Sequence, residues 1–396
     1  MRQLLTHTGG VPEQAHPTQM FRTDYGESVQ PGRPAPTLAE YYRGGLRVAV
    51  EPGTSFIYGD HSFATLGQIV QDVTGTPLHR YFCDHIFEPL GMTDTSFLRP
   101  EGVRSNVATG YELARRGPRA VIDRELIPKA AGAIYSTTRD MARYVAALLG
   151  GGANGHGAML QPATLATMFE PHYRPDVRLP GMGLGFMRGS LGGHLAVEHQ
   201  GIVPGFNAQL WVAPNDGVGI VAFTNGSPQA VMWMPGETGR LLGDLLGVAP
   251  DGIRTDMPQH PEVWGNICGW YKPSLPATDV RARLWFGAGA EVLVRRGQLV
   301  FRLLNPIPAL YRGLTLHPDD ERDPYAFRID LSPFGMGTAR VVFGEESSTR
   351  TAYLEFMPNP FRKQPAGTNP RLWATAGLAV TGAAIAGGLF TVARRG

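Results

Sequence analysis

Apolar residues recur at helical spacing through the first 150 positions of the chain. Within 63–73 they stand three or four positions apart, which predicts a helix with one buried face, and Gly75 follows as its C-cap. These residues are Phe63, Leu66, Ile69, Val70 and Val73. Pro77 opens a second predicted helix, which stops at Pro89. Thr137 and Asp140 match a capping box at the start of a third.

From about 183 the apolar period changes to two, which is typical of strands. The stretches "HLAVEHQG", "FNAQLWVAP" and "VGIVAFTN" predict three strands, and "PNDG" (214–217) predicts a hairpin turn between the last two. Residues 237–248 return to a helical pattern. Because helices come first and an antiparallel sheet with a covering helix follows, the fold class is α+β rather than alternating βαβ.

A second set of short strands runs over 260–358. The stretch 291–304 reads as two strands around a turn at Arg296-Gly297, and evenly spaced strands follow it. This pattern predicts a small antiparallel β-barrel or a sandwich. The acidic stretch "HPDDERD" (317–323) lacks the spacing and the glycine of an EF-hand, so it is interpreted as a solvated hairpin loop.

Residues 372–393 form an uncharged apolar stretch. At about 1.5 Å per residue a helix of this length spans roughly 33 Å, enough to cross the hydrocarbon core of a membrane. The alternative is a buried soluble helix rich in Ala and Gly. The sequence thus predicts three parts: 1–249, 260–358 and a transmembrane helix at 372–393. Arg394 and Arg395 favour a cytoplasmic C-terminus, which predicts a membrane-anchored protein whose catalytic part is extracytoplasmic, whereas Arg362, Lys363 and Arg371 on the other side of the span favour the opposite orientation.

Composition excludes several classes of function. The net charge of +2 comes without a block of like charge, which argues against a nucleic-acid partner. Cys83 and Cys268 lie too far apart in sequence to imply a disulfide framework. The histidines are scattered and no HExxH pattern occurs, so neither a metal site nor another cofactor is expected.

Two short stretches contain residues that could carry chemistry. Tyr58 in "YGD" precedes a helix and could act as a general base if neighbouring cations lowered its pKa. His199 in "HQG" could bind a substrate anion or shuttle a proton. Gly201 would let a substrate backbone approach closely, and the Ile202 amide could donate to an oxyanion. Taken singly, each stretch also fits an ordinary packed Tyr or a half-exposed His.

Five stretches that follow one another along the chain favour a catalytic role over these ordinary ones. They are "RQLLTHTGG", "EPGTSFIYGDHSFATLGQIVQDVTG", "IFEPLGMTDTSF", "AGAIYSTTRDMARYVAALL" and "HQGIVPGFNAQLWVAPNDGVGIVAFTN". Together they resemble the penicillin-recognising serine hydrolases, which include class C β-lactamases, D-alanyl-D-alanine carboxypeptidases and related esterases. The resemblance covers roughly 1–248. The region 260–358 resembles the lipocalin-like β-domain that some members carry.

The resemblance implies acyl-enzyme hydrolysis of a small-molecule or peptide substrate by a serine of a Ser-x-x-Lys motif. Tyr58 matches the catalytic Tyr of the family's Tyr-x-Asn motif, and His199 and Gly201 match its Lys-Thr-Gly or His-x-Gly strand. The Ile202 amide would then be one of two oxyanion donors. Asp60 replaces the family's Asn in the substrate-binding position, and an ionised Asp can accept a hydrogen bond but cannot donate one.

A larger departure is the absence of Ser-x-x-Lys from this sequence. The residues three positions before Lys129, Lys272 and Lys363 are Leu126, Gly269 and Pro360. In the family the motif precedes the stretch that "RQLLTHTGG" resembles, so in this protein it would fall before Met1. We therefore expect a truncated reading frame. Removal of the upstream part is expected to expose a sheet edge. Ser62 and Ser136 stand at helix starts, where we expect them to cap.

Two functions therefore stay open. The first is a serine hydrolase acting on an ester, a peptide or a β-lactam, inactive in this chain because the nucleophile is missing. The second is a non-catalytic, membrane-anchored binding module. His-x-Gly in place of Lys-Thr-Gly removes a fixed positive charge, which favours esters or amides without a carboxylate over penicillins.

Overall fold

The computed structural model describes residues 1–12, 27–99, 106–227, 230–249, 251–275, 286–305 and 307–372. Its α-helices are α1 Arg2–Leu5, α2 Leu38–Tyr41, α3 Asp60–Thr74, α4 Leu78–Phe82, α5 Lys129–Gly132, α6 Thr138–Leu149, α7 Pro162–Phe169, α8 Ala230–Leu246, α9 Pro261–Ile267 and α10 Pro308–Arg312. A π-helix, Cys83–Phe87, continues α4, and 3-10 turns occupy Ser332–Phe334 and Ala366–Thr368.

The strands fall into four sheets. In chain order they are β1 Ser28–Val29, β2 Tyr111–Ala114, β3 Gly117–Ala120, β4 Glu125–Leu126, β5 Met187–Leu191, β6 His194–Val203, β7 Phe206–Ala213, β8 Val218–Thr224, β9 Gly226–Ser227, β10 Gly269–Pro273, β11 Ala290–Arg295, β12 Gln298–Leu303, β13 Leu314–Thr315, β14 His317–Pro318, β15 Ala326–Asp330, β16 Thr338–Glu346, β17 Thr349–Leu354 and β18 Met357–Gln364. Mixed helix and sheet confirm the predicted α+β class.

Helix α3 ends where the sequence predicts, but it begins earlier than a cap at Ser62 would place it and buries a different face. Gly75 ends it at φ 66°, as expected of a C-cap glycine. Val73, which belongs to the predicted apolar face, is 80% exposed. The buried residues are His61, Ser62, Ala64 and Gly67 instead, and a Cβ on Gly67 would lie 2.4 Å from the Cβ of Ala130. A close helix–helix approach therefore decides which face is buried, and the predicted stripe is wrong at its end.

Helix α6 begins at the predicted cap, but its acidic residue has another task. The Thr137 hydroxyl accepts the N–H of Asp140 at 3.2 Å. The Asp140 carboxylate does not return to Thr137 and instead accepts the Asp94 N–H at 2.7 Å and the Thr95 hydroxyl at 2.8 Å. Arg143 donates to its other oxygen at 2.7 Å. The predicted cap is confirmed, whereas the reciprocal box is wrong because Asp140 anchors the 94–95 segment.

The antiparallel sheet β5-β6-β7-β8 confirms the three predicted strands and the turn at 214–217. Alternate residues of β6 face opposite sides, so Val197 packs with α6 and α7 while Ala196 packs with α8. Helix α8 begins several residues before the predicted 237. Strand β8 pairs with β7 alone among the described residues, as expected of a sheet edge.

Strands β10 to β18 form a nearly closed, barrel-like sheet, called the barrel below. Its two end strands, β13 and β14, are consecutive in the chain and separated only by Leu316, so the sheet wraps round on itself. The predicted turn at Arg296-Gly297 is confirmed, with φ values of 52° and 75°. Asp319 of the acidic stretch binds Arg328 and Arg340, which fits a hairpin loop rather than a calcium loop.

The predicted transmembrane segment cannot be compared with the fold. Among the residues that the structure describes, no helix has the length and apolar character needed to cross a bilayer. Residues 373–396, which hold nearly all of the predicted 372–393 span, lie outside the described residues. The membrane helix therefore stays a prediction.

Candidate active site

Tyr58 lies at the start of α3, where an extended segment turns into the helix. Gly59 is the N-cap, with φ −168° and ψ 129°, so Tyr58 is the last side chain before the helix begins. Its ring is half-buried and stacks on the imidazole of His7, with centroids 4.2 Å apart and planes inclined by 29°. The contact joins the α3 start to the N-terminal segment, 1–12.

His7 is a site residue to which the sequence assigned no role. It is 1% exposed and adopts φ 53°, a conformation uncommon for a residue with a side chain. Its carbonyl accepts the Ile57 N–H at 2.7 Å, and its Nδ1 accepts the Gly59 N–H at 3.3 Å. Because Nδ1 accepts, the neutral ring carries its proton on Nε2, and Nε2 is buried without a hydrogen-bond partner.

The electrostatics of His7 involve His199. Burial, which is the larger cause, and the charge on a protonated His199 together lower the pKa of His7 to about 3. His199 itself lies on β6 opposite Leu210, and burial lowers its pKa as well. Both rings are therefore neutral at pH 7. Tyr58 thus contacts His7 directly, whereas His199 acts on His7 through its charge when protonated.

Gly201 and Ile202 occupy the end of β6, beyond the reach of β5. Strand β5 pairs with β6 only as far as Glu198. Val203 and Phe206 flank a two-residue turn and form a hydrogen-bonded pair. Hydrogen-bonded and non-hydrogen-bonded pairs alternate along antiparallel strands, so the next pair, Ile202 and Asn207, is not hydrogen-bonded. This alternation points the Ile202 N–H away from β7, towards the side that β5 leaves open. A Cβ on Gly201 would meet only Ala208, at 3.4 Å, among the described residues, so this strand end has room for a ligand.

Asp60 is the first residue of α3, and the next residue, His61, is a second buried histidine. His61 is fully buried and its Nδ1 lies 2.7 Å from the hydroxyl of Tyr42, while its Nε2 lies 3.6 Å from Glu27. Burial raises the pKa of Tyr42, and the charge on Asp60 adds to this. The helix start therefore concentrates negative charge, which the positive end of the helix dipole stabilises.

The lysines of the chain are engaged elsewhere or face solvent. Lys129 binds Glu125 at 3.0 Å, Lys363 donates to the Asn266 carbonyl at 2.9 Å, and Lys272 is exposed. His7 and His199 are neutral, and the three lysines of the sequence are engaged elsewhere or exposed. None of these side chains therefore supplies a positive charge to activate Tyr58.

Neither of the two serines that the sequence offered as helix caps has that role. Gly59 caps α3, and Ser62 lies inside the helix, 1% exposed, with a hydroxyl that has no hydrogen-bond partner. Thr137 caps α6, and the Ser136 hydroxyl pairs instead with Thr95 at 2.8 Å. Ser62 is too deeply buried to meet a substrate.

Glu198 precedes His199 and points to the opposite face of the sheet, towards α8. Burial raises the pKa of its carboxyl to about 7, and the amide of Gln209, which donates to it at 2.7 Å, opposes the rise. The His199 pKa moves downward from its usual range. An ionisation near pH 7 in this protein is therefore expected to belong to Glu198 rather than to His199.

Potential metal ligands come together elsewhere. Within the described ranges, one group of possible ligands occurs, namely Cys83, Asp84 and Glu88 on the π-helix and just beyond it. Asp84 and Glu88 are exposed, and none of the three belongs to the site around His7.

Replacing His7 by Asn is expected to weaken the acid sensitivity of folding. The folded-state pKa of about 3 lies below the ordinary value of 6.5, so His7 contributes stability above pH 6.5 that is lost as the pH falls. One pH unit costs up to about 1.4 kcal/mol, or about 2 kcal/mol between pH 6.5 and 5. Asn tolerates positive φ and can accept the Gly59 N–H, but does not titrate.

Urea unfolding at pH 7.5 and pH 5.0 measures this effect. His79→Asn, on an exposed position of α4, is the control and should keep the wild-type difference between the two pH values. An unchanged difference in His7→Asn would show that His7 is not buried in its neutral form.

Comparison with known proteins identifies the family of the chain. A family model described as Beta-lactamase matches residues 1–241. The chain is 27% identical over 262 residues to "Putative beta-lactamase-like 1" of Homo sapiens, an alignment covering 62% of this chain and 50% of that protein. It is 26% identical over 283 residues to "Penicillin-binding protein 4" of Amycolatopsis lactamdurans, covering 68% of this chain and 71% of that protein.

A solved structure extends the likeness of the fold to the barrel. The octameric penicillin-binding protein homologue from Pyrococcus abyssi aligns over 91% of this chain and 77% of its own, with a TM-score of 0.51 and 20% identity. That similarity concerns the fold alone. The chain spans only about half the length of the human relative. Because the family model matches more than half of the sequence, the chain belongs to the beta-lactamase family.

Proposed function

We propose that this chain provides the proton-transfer and oxyanion side of a serine hydrolase, and that the attacking serine comes from residues outside these 396. The observation that carries the proposal is the stacking of Tyr58 on the buried imidazole of His7, whose pKa His199 also influences. An acyl-transfer mechanism needs Tyr58 and His199, which are 141 positions apart in sequence, at one site.

The chemistry assigns a separate task to each group. A serine hydroxyl attacks the carbonyl carbon of an ester or amide, and its proton passes to the Tyr58 oxygen, activated by the lysine of the same Ser-x-x-Lys motif. The Ile202 N–H donates to the carbonyl oxygen as negative charge develops there. The leaving group takes the proton, and water then hydrolyses the acyl-enzyme.

The neutral state of His199 bears on the substrate class. A lysine in this position would present a permanent positive charge to a substrate carboxylate. Burial lowers the pKa of His199, so at pH 7 the ring can offer a hydrogen bond but no charge. We therefore infer that uncharged esters and amides are better substrates than penicillins, whose carboxylate would lack its partner.

A second candidate function is ligand binding without catalysis. The absence of Ser-x-x-Lys from the sequence favours it. In that case the Tyr58–His7–His199 site would hold an ester or amide without cleaving it, and no upstream sequence would restore turnover.

The test is hydrolysis by a protein that includes the codons upstream of Met1. We expect p-nitrophenyl esters and amino-acid amides to be cleaved with a kcat/KM at least ten times that for benzylpenicillin. The ratio rests on the energy of one missing charge contact, about 1.5 kcal/mol or more. Faster penicillin cleavage would refute the substrate assignment. Binding without any turnover, from a reading frame that lacks Ser-x-x-Lys, would favour the binding module.

A further inference from the structure

The barrel and the helical part of the molecule meet close to the segment that carries Tyr58. The loop between α7 and β5 places Leu179 in a buried cluster with three barrel residues, Ala326, Val342 and Tyr353. Arg178 of the same loop binds Asp323 of the barrel, Nη1 to Oδ2, at 2.8 Å. A Cβ on Gly344 would lie 3.0 Å from an Asp176 oxygen, so the two surfaces approach closely.

Asn359 makes a contact of a different kind across this boundary. Its side chain on β18 is 4% exposed, and its Nδ2 donates to the backbone carbonyl of Phe56 at 2.7 Å. The Phe56 ring, also buried, stacks on Tyr173 of the α7–β5 loop with centroids 6.1 Å apart. Because Phe56 is two positions before Tyr58, the barrel reaches the backbone of the site itself.

We propose that Asn359 is a positioning residue for Tyr58, which makes the barrel a working part of the active site rather than an independent appendage. The expected effect of Asn359 on catalysis rests on the proposed hydrolase function.

The segment from Phe56 to Gly59 is held between two anchors. On one side Asn359 holds the Phe56 carbonyl. On the other side His7 accepts the N–H groups of Ile57 and Gly59. Asn359 and His7 form hydrogen bonds with different backbone groups of the same extended segment, so the position of Tyr58 depends on both residues. A displacement of about 1 Å in a catalytic group can cost about 100-fold in rate.

Asn359→Asp removes the donor at nearly constant size. A carboxylate cannot donate to the Phe56 carbonyl, and in its ionised form it repels that oxygen. The segment must then move to find another partner for the carbonyl. The matched control is Asp323→Asn, which breaks the Arg178 ion pair at the same boundary but touches no atom of the Tyr58 segment.

The first measurement needs no enzymatic activity. The 396-residue chain is labelled with carbon-13 at the ζ position of its 13 tyrosines, and the Tyr58 resonance is identified by its loss in Tyr58→Phe. We expect Asn359→Asp to shift this resonance and Asp323→Asn to leave it in place. Asn359→Ser, which is uncharged and too short to reach the carbonyl, is measured alongside Asn359→Asp, because a buried Asp that takes up a proton could still donate to the carbonyl. It also replaces the Asp variant if that variant does not fold.

The second measurement uses the hydrolytically active protein. We expect Asn359→Asp to lower kcat by about 10- to 100-fold with KM changed by less than about threefold, because geometry at the reacting atoms is lost while binding is kept. Asp323→Asn should lower the melting temperature without changing kcat.

The outcomes separate this proposal from the hydrolase proposal. A Tyr58 resonance that does not move in the Asn359 variant, or moves equally in Asp323→Asn, overturns the positioning role. So does a variant that melts earlier with unchanged kcat. If no form of the protein hydrolyses any substrate, the hydrolase proposal fails, while the resonance of Tyr58 still decides the role of Asn359.

Discussion

Tyr58→Phe is expected to lower the kcat of the active protein by about 100- to 1,000-fold, with little change in KM. A positioned proton-transfer group contributes about 100- to 10,000-fold, and the substitution removes only the hydroxyl. The ring that stacks on His7 remains, so the fold and the packing of the two rings should survive. Steady-state kinetics with an ester substrate, together with a melting curve, measures both expectations.

Tyr135→Phe is the matched control for this variant. It also deletes a partly buried phenol hydroxyl with partners, since Tyr135 donates to Asp123 at 3.1 Å, but it has no contact with His7. We expect it to alter stability slightly and kcat by less than about twofold. Comparable losses in the two variants would mean that Tyr58 acts on folding rather than on proton transfer.

A fluorophosphonate probe is expected to label a chain extended upstream through a Ser-x-x-Lys motif and to leave the 396-residue chain unlabelled. The probe reacts with an activated serine. No serine precedes a lysine by three positions in this sequence, Ser62 is 1% exposed, and the Ser136 hydroxyl is hydrogen-bonded to Thr95. Gel fluorescence of the labelled proteins gives an all-or-none readout.

The control for labelling is the extended chain with the motif serine replaced by Ala, which should lose the signal, as should heat-denatured protein. Label on the 396-residue chain, mapped to a peptide by mass spectrometry, would show that the nucleophile lies within it. The proposal of an outside serine would then be wrong.

Local sequence rules predicted the elements well and their packing less well. The existence of α3 and its end follow from spacing and from Gly75, which are properties of neighbouring residues. The choice of buried face follows from the approach of Gly67 to Ala130, which lie on different helices. Likewise, a preference for Ser at helix starts predicted a cap at Ser62, whereas the extended backbone of Gly59 begins the helix earlier.

The site was only partly accessible to sequence reasoning for the same reason. Tyr58 and His199 stand in recognisable short motifs. His7 stands in none of the catalytic motifs that we used, and its importance comes from its neighbours in space: the ring of Tyr58 and the Gly59 N–H. The contact of Asn359 with Phe56 joins positions 303 apart, and nothing in either local stretch points to the other.

Strand β8 has a practical consequence for anyone who purifies this chain. Its sequence, "VGIVAFT", has no charged side chain, and Phe223 is 40% exposed. Natural proteins guard such strands with lysine, proline or a bulge, because unmatched peptide groups recruit strands from other molecules. Aggregation should therefore begin by intermolecular strand pairing at β8 and should increase with protein concentration.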